Sequence, residues 1–102
     1  MIARVASFEG VNVQAAQDTM EQAEAVIRPM VEGLEGYRGA LELVSSDGKF
    51  LSITLFDSME NAQAAEPTFD EEMPAKLGHI FEQWEGRRVS VDRYEVAGQD
   101  NR

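Results

Sequence analysis

The sequence predicts an α+β fold built on one four-stranded antiparallel sheet, with its elements in the order β-α-β-β-α-β. Three observations carry this reading. A Ser46-Asp47-Gly48-Lys49 turn joins two runs of strand-forming residues, Tyr37 to Val44 and Phe50 to Phe56. Asp-Gly between such runs is a strong hairpin signal, because glycine takes a positive φ without a Cβ clash. Helical periodicity precedes the hairpin and returns after it, and strand-like alternation opens and closes the chain.

Taken in order, Ile2 to Phe8 reads as the first strand, with Ile2, Val5 and Phe8 β-compatible and Ala3, Ala6 and Ser7 small. Gly10-Val11-Asn12 reads as a loop. Asp18 or Thr19 is expected to cap the first helix, with Glu21 and Gln22 placed to complete a capping box. Met20, Ala23, Ile27, Met30, Val31 and Leu34 recur at helical spacing as one apolar face. Pro29 removes the bond to the carbonyl of Ala25 and is expected to kink or divide that helix, which Gly33 and Gly36 end. Beyond the hairpin, Asp57 or Ser58 caps a short helix that Pro67 interrupts. Thr68 is expected to cap the next segment, where Phe69, Met73, Leu77, Ile80, Phe81 and Trp84 mark a single face. Pro74 fits a first helical turn, and Gly86 stops the helix. Arg87 to Val96 alternates as the fourth strand. The domain is expected to span residues 1–98, with 99–102 a frayed tail.

Length and composition narrow the classes of function. A chain of 102 residues has room for one core. With 43% hydrophobic and 27% charged residues, its composition is that of a soluble globular domain. The absence of cysteine excludes disulfides, thiolate metal sites and cysteine nucleophiles together. No apolar run reaches membrane-spanning length and no signal peptide is visible, so a cytoplasmic location is expected. The net charge of −10 repels phosphate backbones and anionic lipid, which argues against nucleic-acid and membrane partners. The Asp70-Glu71-Glu72 run and the acids of the first helix read as a solvated face.

The middle strands are apolar on both sides. Leu41 and Leu43 face one way in the second strand, while Ala40 and Val44 face the other. Leu51, Ile53 and Leu55 likewise oppose Phe50, Ser52, Thr54 and Phe56 in the third. A sheet of this kind must be covered on both faces. The helices cover one, and a second copy of the chain is the economical cover for the other. A homodimer through the sheet face is therefore expected.

The run Leu34-Glu35-Gly36-Tyr37-Arg38-Gly39 and the passage Ser52-Ile53-Thr54-Leu55-Phe56-Asp57-Ser58-Met59-Glu60-Asn61-Ala62 resemble the antibiotic-biosynthesis-monooxygenase-like family of dimeric α/β barrels. Its members carry a Gly-aromatic-x-Gly passage into a strand, then an aromatic-acid-Ser-x-Glu passage from the third strand into a helix. The resemblance implies a ferredoxin-like domain that dimerises sheet to sheet. It also implies chemistry within the family's range: cofactor-free oxygenation of polyketide quinols, quinol oxidation or haem degradation. The haem-degrading members use an Asn on the first strand with a Trp and a His on the helices after the third. Here the first strand offers Ser7, the helix after Asp57 offers Ala62, Ala64 and Ala65, and His79 lies farther along, so haem degradation is rejected. The polyketide-oxidising members place Asn, Trp, Tyr and Arg around a planar substrate. Asn61, Trp84, Tyr37, Tyr94 and Arg38 supply those residue types here, without a shared motif that aligns them.

Among individual residues, His79 is the one side chain that titrates near neutrality when unperturbed. At the edge of the last helical face it reads either as a boundary residue or as a general base at the mouth of a cavity between helices and sheet. Trp84 reads as core packing or as a stacking surface for a planar ligand. Tyr37 and Asn61 are further candidates for substrate contact. Arg4, a charge on a strand that would be central, needs a partner. Glu42 and Asp92 on neighbouring strands are its expected partners in an inter-subunit ion pair, and anion binding in a pocket is the alternative. No nucleotide, flavin or phosphate motif occurs, and one His without Cys gives no metal-ligand spacing. The expected function is a cofactor-independent, monooxygenase-like protein acting on a small aromatic or quinol-type substrate. The alternative is a non-catalytic small-ligand-binding or structural dimer.

Overall fold

A computed structural model describes residues 1–100; residues 101 and 102, part of the expected tail, lie outside them. The element order is β1 (Ile2–Glu9), α1 (Val13–Glu32), β2 (Tyr37–Val44), β3 (Phe50–Phe56), α2 (Met59–Ala64), a π-helical turn (Thr68–Glu72), α3 (Met73–Trp84) and β4 (Arg87–Glu95). The strands form one antiparallel sheet in the order β2-β3-β1-β4, which is the ferredoxin-like layout. The first strand in sequence is thus central in space, and α1 and α3 pack against each other on one face.

The β2–β3 hairpin closes as its turn residues dictate. Ser45 N donates to the Lys49 carbonyl at 2.9 Å, and Ser45 Oγ accepts from Lys49 N at 3.0 Å. Gly48 has φ +85°, and a Cβ there would lie 2.8 Å from the Val11 carbonyl oxygen, so only glycine fits.

Helix boundaries depart from the sequence reading at three places. α1 begins at Val13, capped by Asn12, whose side chain accepts from Ala15 N at 3.0 Å, and not at Asp18 or Thr19. Its first turns bury Ala16 instead of large side chains, and alanines leave little apolar signature. Pro29 does not divide α1, because the helix ends only three residues later, at Glu32. Thr68 does not cap. The chain reaches it already helical, with Pro67 at φ −59° and ψ −32°, so there is no extended residue for a cap to occupy. The segment winds as a π-helical turn that buries Thr68 and leads directly into α3. Ser58 caps α2 as expected, accepting from Asn61 N at 3.1 Å.

The core is divided into two clusters. One gathers Val11, Ala16, Ala23, Phe50, Leu77, Ile80 and Trp84; the other gathers Phe56, Ala62 and Ala65, with Ile2, Leu34 and Phe69 packed against it. The opposite face of the sheet, with Leu41 and Leu43 on β2 and Tyr94 on β4, stays open. These three side chains are 44%, 46% and 56% exposed. Among the described residues, no helix is long and apolar enough to cross a membrane.

Candidate functional site

Sheet register explains why the core is divided. On the helix-facing side, one row across the strands reads Ala40, Thr54, Arg4, Arg93, and the next reads Glu42, Ser52, Ala6, Val91. The rows beyond them hold the large rings, Phe56 on one side, Phe50 and Phe8 on the other. Small and polar residues in the two middle rows cannot fill the space beneath the helices. They leave a cavity of about 270 Å³ between sheet and helices. α1 lines it with Met20, Ile27 and Val31, the π-helical turn with Phe69, and α3 with Met73, Phe81 and Trp84. Its walls are therefore apolar and aromatic, and its floor carries Arg4, Glu42, Ser52 and Thr54.

Arg4 is 2% exposed. Its partner is Glu66, in the segment between α2 and the π-helical turn, and not Glu42 or Asp92 as expected. Arg4 Nε donates to Glu66 Oε1 at 2.9 Å and Nη2 to Oε2 at 3.3 Å. Asp92 is excluded by pleat, because it pairs with Val5 on the open face. The expected inter-subunit ion pair is thus an intrachain one. Arg93, beside Arg4 in the register, donates to the same Glu66 Oε1 at 2.8 Å. Two guanidinium groups share one carboxylate. Burial pushes the Glu66 carboxyl up, but the hydrogen bond and charge of Arg4, then those of Arg93, outweigh it and hold the group below its usual range. Phe69 completes the setting, its ring centroid 3.9 Å from Arg4 Cζ, a cation–π contact.

Trp84 lines the cavity and is anchored at its edge. Its Nε1 donates to Thr19 Oγ1 at 2.7 Å, and its ring packs on Phe50 and Phe81 with centroids 5.6 and 5.2 Å apart. Glu42, on the edge strand at the other side of the floor, has its pKa raised by burial first and by the charge of Glu24 second, against a lowering by Arg28. The hydroxyls of Ser52 and Thr54 take no side-chain hydrogen-bond partner among the described residues.

Of the sequence-derived candidates, the cavity brings together Arg4 and Trp84. His79 is exposed on α3 and does not line it. Tyr37 stands outside it, where burial raises its phenol pKa, followed by the charges of Glu32 and Glu42. Asn61 packs under the turn at Gly36, where a Cβ would lie 2.3 Å from its Oδ1. Arg38 pairs with Asp57 on the surface. The sequence reading did not single out Glu66 or the two hydroxyls, and it named Glu42 only as a partner for Arg4 and Phe69 only as part of a helical face, not as lining of a cavity. For Glu42 and the hydroxyls of Ser52 and Thr54 the signal was the register beside Arg4, which needs the strand order before it can be read. Glu66 and Phe69 come from outside the sheet and had no such signal. No group of three or more His, Cys, Asp or Glu side chains able to hold a metal occurs among the described residues.

No family model and no curated protein matches the chain in sequence. Solved structures match it in fold. It is similar to a dimeric ferredoxin-like protein from an uncultured marine organism, at 11% identity, with 100% of both chains covered and a TM-score of 0.68. It is similar to a candidate antibiotic biosynthesis monooxygenase from Deinococcus radiodurans, at 15% identity, with 99% of this chain and 97% of that one covered and a TM-score of 0.64. It is also similar to the heme-degrader MhuD from Mycobacterium tuberculosis, solved with two hemes in its active site, at 21% identity, 99% and 100% coverage and a TM-score of 0.63. At the level of fold, the chain is similar to antibiotic-biosynthesis-monooxygenase-like and dimeric ferredoxin-like proteins, as its motifs resembled.

Proposed function

We propose that this chain is a cofactor-independent, monooxygenase-like protein that takes a small aromatic or quinol-type substrate into the cavity between sheet and helices. One observation carries the reading: a single aromatic-walled hollow holds a buried cation, Arg4, on one strand and a carboxyl of raised pKa, Glu42, two strands away. A ring stacked among Phe69, Phe81 and Trp84 lies between them. Glu42 takes the hydroxyl proton, the general-base role that was one of the two readings of His79, and Arg4 presents a fixed positive charge to the ring as electron density builds on it. The apolar walls exclude water from the reactive enolate.

The electrons come from the substrate. A quinol and O₂ give a hydroxyquinone and water: one oxygen atom enters the ring, the other leaves as water, and the four electrons taken up by O₂ are all lost by the quinol. No bound cofactor is required by that balance. A haem ligated by histidine does not fit, because iron needs an axial ligand inside the pocket and His79, the chain's one histidine, is exposed outside it.

We propose further that the protein is a cytoplasmic homodimer, joined through the open sheet face that carries Leu41, Leu43 and Tyr94. The dimeric ferredoxin-like neighbour supports this assembly. The non-catalytic binding dimer is the second reading, favoured by the absence, among the described residues, of any His, Tyr or Asn lining the cavity. Oxygen uptake with mono- and bicyclic quinols separates the two. Uptake of one O₂ per quinol above autoxidation, with hydroxyquinone formed, supports oxygenation. Binding without uptake leaves the protein a ligand carrier.

A further inference from the structure

Arg4, Arg93 and Glu66 form a cluster of two cations and one anion, with Arg4 almost wholly buried. A buried guanidinium that shares its one counter-charge with a second cation favours the approach of a further anion. Arg4 spends its Nε and one N–H of Nη2 on Glu66. The donors along its Nη1–Nη2 edge have no partner among the described residues. Phe69 lies against the guanidinium face, so those donors act in the plane of the group. Arg93 repeats the imbalance: its Nε is buried without a hydrogen-bond partner among the described residues.

Arg4 is also one of the residues that line the cavity. A planar fork of free N–H donors matches a carboxylate bidentately, which a single phenolate oxygen does not. The far side of the floor is different in kind. The backbone of Glu42 is two strands and two residues away, about 12 Å by ordinary sheet spacing, and its carboxyl repels a second anion but accepts a hydroxyl. The hollow, about 270 Å³, suits one or two fused rings between these poles.

We propose that the ligand is an aromatic carboxylate, seated with its carboxylate on the Nη1–Nη2 edge of Arg4 and a ring hydroxyl toward Glu42. This rests on the cavity being the aromatic site described above, and it narrows the substrate from quinols in general to acidic ones.

Calorimetric titration of the purified protein with 6-hydroxy-2-naphthoate, its methyl ester and 2-naphthol tests it. The acid is expected to bind at least tenfold tighter than the ester, and Arg4→Gln, with its fold checked by circular dichroism, is expected to reduce that preference to within twofold. If Arg4→Gln does not fold, the acid–ester ratio on the unaltered protein decides alone. Equal binding of acid and ester, or a preference that survives in Arg4→Gln, overturns the carboxylate assignment and leaves the aromatic cavity standing. Binding of none of the three overturns both.

Discussion

Arg4 on the central strand meets Glu66, 62 residues away in sequence, through a two-point contact of 2.9 and 3.3 Å. That contact ties the sheet floor to the segment that introduces the π-helical turn, and so fixes Phe69 over the guanidinium. Glu66→Gln removes the shared carboxylate and leaves two cations facing each other. Breaking a buried pair from one side costs about 3–5 kcal/mol; with Glu66 itself about a quarter exposed, a loss near 3 kcal/mol is expected by urea unfolding. The folded-state pKa of Glu66 is depressed below its ordinary 4.5, so its stabilisation is complete above that pH and is lost as pH falls through the lower folded value. The unaltered protein should therefore lose more stability than the variant on acidification below about pH 4.5.

Glu42 behaves in the opposite sense. Its folded-state pKa is raised, so the folded protein holds this proton more tightly than the unfolded chain, and stability falls as pH rises from the ordinary value through the raised one. Glu42→Gln removes that penalty and the repulsion from Glu24. Its thermal midpoint at pH 7 is expected to equal or exceed that of the unaltered protein. Turnover, if Glu42 is the proton acceptor, is expected to drop at least about 100-fold, in line with general-base deletion. Unchanged turnover removes Glu42 from the chemistry.

Gly36→Ala tests whether Asn61 is structural. Gly36 has φ +76°, and a Cβ would lie 2.3 Å from Asn61 Oδ1 and 2.9 Å from Asn61 Cβ. Positive φ costs an alanine about 1–2 kcal/mol, and the clash adds to it. A loss above about 2 kcal/mol is expected in denaturant unfolding, whereas a loss of only about 1–2 kcal/mol, the positive-φ cost alone, shows that Asn61 is free to move.

The open sheet face is tested by charge. Leu41→Glu with Leu43→Glu places two carboxylates on the surface proposed to bury against a second copy. Light scattering is expected to give twice the 11.3 kDa chain mass for the unaltered protein and the single mass for the double variant. A monomer in both cases removes the dimer.

The fold was legible because its signals are local. Asp47-Gly48 fixed the hairpin, and alternation fixed β2 and β3 to the residue. Where the signal was weak, boundaries moved: the first turns of α1 bury alanine, and the π-helical turn has no sequence signature separating it from a capped helix. The site was legible only in part. Arg4 stood out because a charge on a central strand demands a partner, and Trp84 because it closed a helical face. Glu66 and Phe69 reach Arg4 from a different element, and no short-range pattern links residues so far apart. His79 stood at an edge of the helical face beside Leu77 and Ile80, where it read either as a boundary residue or as a base, and it is exposed and does not line the hollow.

Methyl-resolved nuclear magnetic resonance with 2,6-dihydroxynaphthalene tests the central claim most directly, because it reports where a ring binds without assuming turnover. The prediction is intermolecular Overhauser contacts from the ring protons to the methyl groups of Met20, Ile27, Val31 and Met73, all of which line the cavity. Contacts to Leu41, Leu43 and Ile53 on the open sheet face, or no contacts at saturating ligand, would contradict it.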